Sequence, residues 1–200
     1  MPMTNTSSPP QSAPEAGGAD TSIKAAGRSQ RTYQLRNGKP GAGFMLAHPA
    51  HAIALGFGAG LSPVAPGTAG TLWAWLAWLL LQTYLTPMQL GWLILGSTLI
   101  GWWACTVTAK NLHVLDPGSI VWDEVVAFWL VLWLIMPTGF GGQLAAFLLF
   151  RFFDTVKPGP VAWADQHFKG FNARGGFGIL FDDTVAAFCT LLVIAAWKFW

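Results

Sequence analysis

Five carboxylates are the residues of this sequence best placed to do chemistry. Asp123 and Glu124 are adjacent in IVWDEVVAFWLVLW, residues 120–133, whose other twelve residues are apolar. Asp182 and Asp183 form a second adjacent pair in RGGFGILFDD, residues 174–183, and Asp154 stands in FRFFDTVKPGP, residues 150–160. Acids at close range raise one another's pKa, and burial does the same, so a cluster of five cannot stay ionised unaided. The usual relief is a cation. Hard oxygen donors suit Mg²⁺, which takes one or two carboxylates and leaves positions for water and a substrate phosphate. All five acids are therefore candidate metal ligands and candidate catalytic groups. His48 and His51 have a tempting i,i+3 spacing, but no cysteine or third histidine stands close by, so both read as interfacial residues rather than zinc ligands.

Basic and small residues complete the candidate site. Arg151 and Asp154 share a helical face, and Lys157 precedes the proline that stops that helix. A planar guanidinium fits phosphate oxygens bidentately, so Arg151 and Lys157 are expected to clamp a phosphate beside the ion. The glycine-rich stretch 174–178 reads as a turn. There Gly176 lets a ligand approach the backbone, Arg174 precedes it as a candidate substrate contact, and the next helix turns its N-terminus toward an anion. In GLSPVAPGTAGTL, residues 60–72, Pro63 and Pro66 forbid a regular helix, and Ser62, Thr68 and Thr71 offer hydroxyls, of which Ser62 and Thr68 are candidate substrate contacts. Each group has a plain structural alternative. Asp123 can be a helix cap paired with Lys110, Asp154 can simply pair with Arg151, Lys157 can offset a helix dipole, and Thr68 or Thr71 can cap a helix. Two adjacent-acid pairs plus a fifth acid, all inside apolar helices, weigh toward function.

The elements that must position these residues belong to a membrane protein. The chain has 200 residues, 53% apolar and only 10% charged, against about 25% charged in soluble domains. No Lys, Arg, Asp or Glu occurs from Pro40 to Ala109, seventy residues in all, where one spanning helix needs about 20. A net charge of +2 does not point to nucleic acid. Residues 1–43 are rich in Pro, Ser, Gly and Ala, carry five basic residues and have no apolar run. They read as a disordered basic tail ahead of a membrane-embedded domain, 44–200. A short apolar helix, interfacial or re-entrant, is expected up to about Phe57. Spans are expected at about 70–86, 89–108, 120–136 and 178–197, with 143–156 spanning or partly entering. The fold class is thus an all-α polytopic bundle of four to five spans. With five crossings and the N-terminus inside, nine basic residues fall in inside segments and one, Lys198, outside, as the positive-inside rule requires. All five acids then lie within roughly 10 Å of the cytoplasmic surface, at about 1.5 Å per residue. Cys105 and Cys189 read as small hydrophobes rather than a disulfide.

GFGAGLSPVAPGTAGTL, AKNLHVLDPGSIVWDEVVAFWLVLW, FRFFDTVKPGPVAWAD and GGFGILFDDTVAA together resemble the phosphatidylglycerophosphatase A family over about residues 46–197. The resemblance implies a Mg²⁺-dependent lipid phosphatase of the bacterial inner membrane, all-helical, converting phosphatidylglycerophosphate to phosphatidylglycerol and phosphate. It aligns the family's acidic motifs with Asp123-Glu124, Asp154 and Asp182-Asp183. It also shows two departures, Ala127 and Ala187, where the family often has glycine. The partners implied are the lipid substrate and the bilayer, and a homo-oligomer is compatible with the sequence. A metal-activated water and an aspartyl-phosphate on Asp154 or Asp182 both remain open as mechanisms. Two rival readings exist. A cation- or proton-coupled transporter also buries acids, but near the midplane of repeated halves. A phosphatidyl-group transferase is expected to carry a longer spaced Asp/Gly motif that this chain lacks.

Overall fold

The computed structural model of the chain describes residues 39–114, 117–167 and 173–198, apart from the side chains at 167, 173 and 174. Residues 1–38, most of the expected basic tail, lie outside the described residues. The described chain is helical throughout, with no strand: α1 Ala42–Leu46, α2 Pro49–Ala54, a 3₁₀ segment Gly56–Leu61, α3 Pro66–Tyr84, α4 Pro87–Leu112, α5 Trp122–Leu134, α6 Phe140–Val156, α7 Pro160–His167 and α8 Ala173–Lys198.

Local chemistry explains most boundaries. Pro66 and Pro87 stand at the first position of α3 and α4, where a missing N–H costs nothing. Thr86 and Gln89 form a reciprocal capping box at the start of α4. Gly56, Phe57 and Gly58 are all left-handed, with φ of 55°, 52° and 115°. These three residues break the helical path and leave Phe57 exposed, leaning on Trp73 and edge-on to Trp122. The expected single helix up to Phe57 is therefore two short helices and a distorted turn. Helix α7 was not anticipated, since 157–177 reads as a loop.

Helix α5 is the axis of the bundle. It packs against α3, α4, α6 and α8, and Val125, Ala127, Phe128, Val131 and Leu132 are no more than 2% exposed. A core this rich in tryptophan must find acceptors for its indole N–H groups, because nothing in an apolar interior replaces a missing partner. Trp122 donates to the Ser97 carbonyl at 3.0 Å, Trp129 to Ala74 at 2.8 Å, Trp133 to Pro87 at 2.8 Å, and Trp75 to Gln143 Oε1 at 2.7 Å. Each bond ties one helix to another. Ala127 and Ala187 are fully buried, so the core accommodates both methyl groups. Cys105 and Cys189 are free thiols.

Among the described residues, two helices have the length and composition to cross a bilayer: Pro87–Leu112 and Gly175–Lys198, with mean hydropathies of 1.5 and 2.0. Helix α5, with 13 residues, is only about 20 Å long against an apolar thickness of about 30 Å.

One expectation is overturned in α8. The stretch 174–178 is not a turn; the helix starts at Ala173 and runs through the glycines. The reason is packing. Gly176 lies against Thr106 of α4, and a β-carbon there would collide with the threonine hydroxyl. Close helix contact, not backbone freedom, is what Gly176 supplies. Asp182 and Asp183 accordingly stand well along the helix rather than near its start.

Candidate active site: a carboxylate cluster shared by three helices

The first turn of α5 carries Asp123 and Glu124, where the partial positive charge of a helix N-terminus favours acids. The N-cap residue Val121 has no side-chain acceptor, and Asp123 Oδ1 takes the Glu124 N–H at 3.0 Å in its stead. Asp123 is therefore not the cap of α5 but a first-turn acid that accepts a backbone N–H from inside the helix. The last turns of α6 carry Arg151 and Asp154, which form the anticipated i,i+3 ion pair. Arg151 Nη1 also reaches Glu124 Oε1 at 3.3 Å, so the guanidinium ties α6 to α5.

Asp183 of α8 closes the group. Glu124, Asp154 and Asp183 each present an oxygen, all three within 4.8 Å of one another. Asp123, Asp154, Asp182 and Glu124 all interact electrostatically with Asp183, so the five acids gather in one place. Glu124 is 9% exposed, Asp182 7% and Asp183 3%. Two oxygens, Glu124 Oε2 and Asp183 Oδ2, are buried with no hydrogen-bond partner. An orphaned buried oxygen costs about 1–3 kcal/mol, more when charged, and several acids here share few cations. A cation at this point would satisfy both. An all-oxygen donor set suits a hard divalent ion such as Mg²⁺ and not zinc.

Lys157 caps α6 in the left-handed region, at φ 46°. Its Nζ donates to Asp182 Oδ2 of α8 and to Asp165 Oδ1 of α7, each at 2.7 Å. Burial opposes its charge, but these two carboxylates outweigh burial and hold the ammonium above its ordinary pKa. Lys157 is therefore far more than compensation for a helix dipole.

Helix α3 forms one wall, and here it is the glycines as well as a hydroxyl that contribute. A β-carbon on Gly67 would collide with Glu124 Oε1 and come 3.2 Å from Arg151 Nη2; one on Gly70 would stand 3.1 Å from Glu124 Oε2. The bare backbone of α3 is what lets the Glu124 carboxylate in. Thr71, fully buried, donates to the Gly67 carbonyl at 2.9 Å and accepts from Arg151 Nη1 at 3.5 Å. It does not cap α3, whose N-cap is Ala65. The legible signal was the i,i+3 spacing of Gly67 and Gly70, which puts small residues on one helical face.

Other expected members lie elsewhere. Ser62 Oγ donates to the Val64 carbonyl at 2.7 Å and lines a cavity of about 450 Å³ with Lys39, Pro66 and Ser119. Thr68 is half-buried on the first turn of α3. Gly176 serves the α4–α8 contact. The Arg174 side chain lies outside the described residues. His48 caps α2, accepting from the Ala50 N–H at 3.1 Å. His51 is not interfacial but fully buried. Its Nδ1–H donates to the Phe44 carbonyl at 2.9 Å, and its Nε2 accepts from Asn111 at 2.8 Å. Burial holds its pKa below the usual value, with the nearby His48 charge adding to the effect despite the Phe44 bond.

Comparison with known proteins bears on what this cluster does. A model of the phosphatidylglycerophosphatase A family matches residues 52–198. A phosphatidylglycerophosphatase A of Escherichia coli is 40% identical over 141 residues, covering 70% of this chain and 78% of its own. One from Haemophilus influenzae is 38% identical over 155 residues, covering 78% and 92%. A relative from Bacteroides thetaiotaomicron, provisionally named a phosphatidylinositol-3-phosphatase, is 38% identical over 150 residues, covering 72% and 89%. No solved structure matches. These relatives are phosphatases, so the transporter reading is not favoured. The family match begins next to the buried His51 and ends with α8, and so takes in every acid of the cluster, both of its cations and the glycine wall: the chain is an enzyme, a hydrolase, and belongs to the phosphatidylglycerophosphatase A family.

Proposed function

We propose that the chain removes the terminal phosphate of phosphatidylglycerophosphate, yielding phosphatidylglycerol and inorganic phosphate. The reaction uses Mg²⁺ at the cytoplasmic face of a bacterial inner membrane that the chain crosses four to five times. The observation that carries this reading is the meeting of Glu124, Asp154 and Asp183 from three helices, with two buried oxygens left unpaired, in a chain of this family.

Glu124, Asp154 and Asp183 would hold the ion, flanked by Asp123 and Asp182. When bound, Mg²⁺ supplies Lewis acidity toward phosphoryl oxygens and toward water. Arg151 has a buried Nε–H without a partner, a donor for an equatorial phosphoryl oxygen on which charge grows. Lys157 neutralises charge on the α7–α8 side of the site. Thr71 and the bare faces of Gly67 and Gly70 fix Arg151 and Glu124 in place, which is the positioning that phosphoryl transfer chiefly requires. A cluster carboxylate takes the proton of the attacking water as the bond from phosphorus to the glycerol oxygen breaks, and the leaving oxygen is protonated from the carboxylic acid so formed. In the aspartyl-phosphate route a carboxylate attacks phosphorus first, the glycerol leaves, and water then hydrolyses the acyl phosphate; a trapped phosphorylated protein would distinguish it.

The test is phosphate release by purified protein in detergent, with phosphatidylglycerophosphate and phosphatidylinositol-3-phosphate compared side by side. Release from the first should need Mg²⁺, stop with EDTA and fall about 10²-fold or more in Asp154→Asn and Asp183→Asn. Full turnover in either variant, or preference for the inositol lipid, would refute it.

A further inference from the structure

Lys157 occupies a backbone conformation that lysine rarely adopts, at φ 46°. A left-handed non-glycine residue costs about 1–2 kcal/mol and persists only where its surroundings fix it. The surroundings here are two carboxylates from two different helices. Nζ lies 2.7 Å from Asp182 Oδ2, an acid of the cluster, and 2.7 Å from Asp165 Oδ1 of α7. Asp165 belongs to no acidic pair and comes eight residues after Lys157, beyond Pro158, Gly159 and Pro160. That turn folds α7 back so that its acid meets the lysine. An ammonium has three protons. Two are engaged by the aspartates, and the third is left for an anion. A lysine held by Asp182 alone would be free to swing about one contact; the second aspartate removes that freedom. Lys157 is 31% exposed and Asp165 19%, so the pair lies at the edge of the cluster, where a headgroup enters.

We infer that Asp165 is a positioning residue: by sharing Lys157 with Asp182 it fixes the ammonium so that its remaining proton faces the substrate phosphate. This rests on the phosphatase reading but concerns a residue outside the carboxylate trio. Asp165 acts through Lys157 and touches no substrate itself, so its contribution should vanish when Lys157 is gone.

Four full-length proteins decide the matter: wild type, Asp165→Asn, Lys157→Met and the double variant. Each is assayed for turnover of phosphatidylglycerophosphate with Mg²⁺ and for the rise in Tm produced by inorganic phosphate plus Mg²⁺. The expected results are a fall of 10-fold or more in kcat/KM for each single variant and a double variant no worse than Lys157→Met. The Tm rise should shrink equally in all three, and Asp165→Glu should recover most of the activity. Losses that multiply in the double variant, or a fully active Asp165→Asn, would overturn the inference. If Asp165→Asn does not fold, Lys157→Met and the double variant suffice, since removing both partners leaves no unmatched lysine charge; a further 10-fold fall from one to the other refutes it. A wild type inactive on this lipid would instead strike at the substrate assignment, and the phosphate-dependent Tm still reports on the pair.

Discussion

At the scale of single residues, the site depends as much on atoms that are missing as on those that react. Gly67 has no β-carbon, and the Glu124 carboxylate occupies that space. Gly67→Ala places a methyl 3.0 Å from Glu124 Cδ and 3.2 Å from Arg151 Nη2. We expect phosphate release to fall about 10-fold or more and the Mg²⁺ requirement to rise, with a loss of folding stability of about 1–3 kcal/mol; activity against Mg²⁺ concentration and a melting curve check both. His51 offers a pH test away from the acids. Its folded pKa is depressed below 6.5, so below that value the unfolded chain binds more protons and stability falls as pH falls. Tm should hold above pH 7 and drop through the range below 6.5, and His51→Gln should lose that part of the slope. The acids themselves were legible, because charge inside apolar helices is rare and conspicuous. Their helpers were not. The hydroxyl of Thr71 stands out in the sequence, but its partner Arg151 lies 80 positions away, and Asp165, which meets Lys157 eight positions back, is an ordinary residue that no motif marks.

Elements read well wherever one rule decided the outcome and poorly where packing competed. Proline at the first helical position and the Thr86–Gln89 box set the starts of α3 and α4, and those helices lie within a few residues of the expected 70–86 and 89–108. At 174–178 local preference said turn, but the helix runs through the stretch with Gly176 packed on Thr106. The same device operates at Gly101 of α4, where a β-carbon would come 2.8 Å from the Trp122 indole nitrogen. That nitrogen is bonded to the Ser97 carbonyl. Gly101→Ala should push α4 from α5, break the bond and lower stability by about 1–3 kcal/mol. Because Trp122 adjoins Asp123, activity should fall along with Tm, whereas Gly96→Ala, with open space around it, should leave both unchanged.

For the whole molecule, the charge pattern predicts sidedness. Lys110 ends α4 on the proposed cytoplasmic side and Lys198 ends α8 on the other. Cysteines placed there should react with a membrane-impermeant reagent from opposite faces of sealed vesicles; labelling from the same face would overturn the five-crossing arrangement. The proposed Mg²⁺ would bind the assembled bundle and not the separated helices, so Tm should climb with Mg²⁺ concentration, by about 2.7 kcal/mol of added stability at 100 times Kd, and EDTA should reverse the rise. The all-helical class was plain from seventy uncharged residues, whereas the short reach of α5 was not, because its flanks are as apolar as the helix. One last consequence follows from the origin of Glu124, Asp154 and Asp183 on α5, α6 and α8. Of the three, α8 is made last and brings the third oxygen. Until it docks, the proposed ion cradle lacks a donor, so a growing copy that has not yet made α8 is expected to be inert.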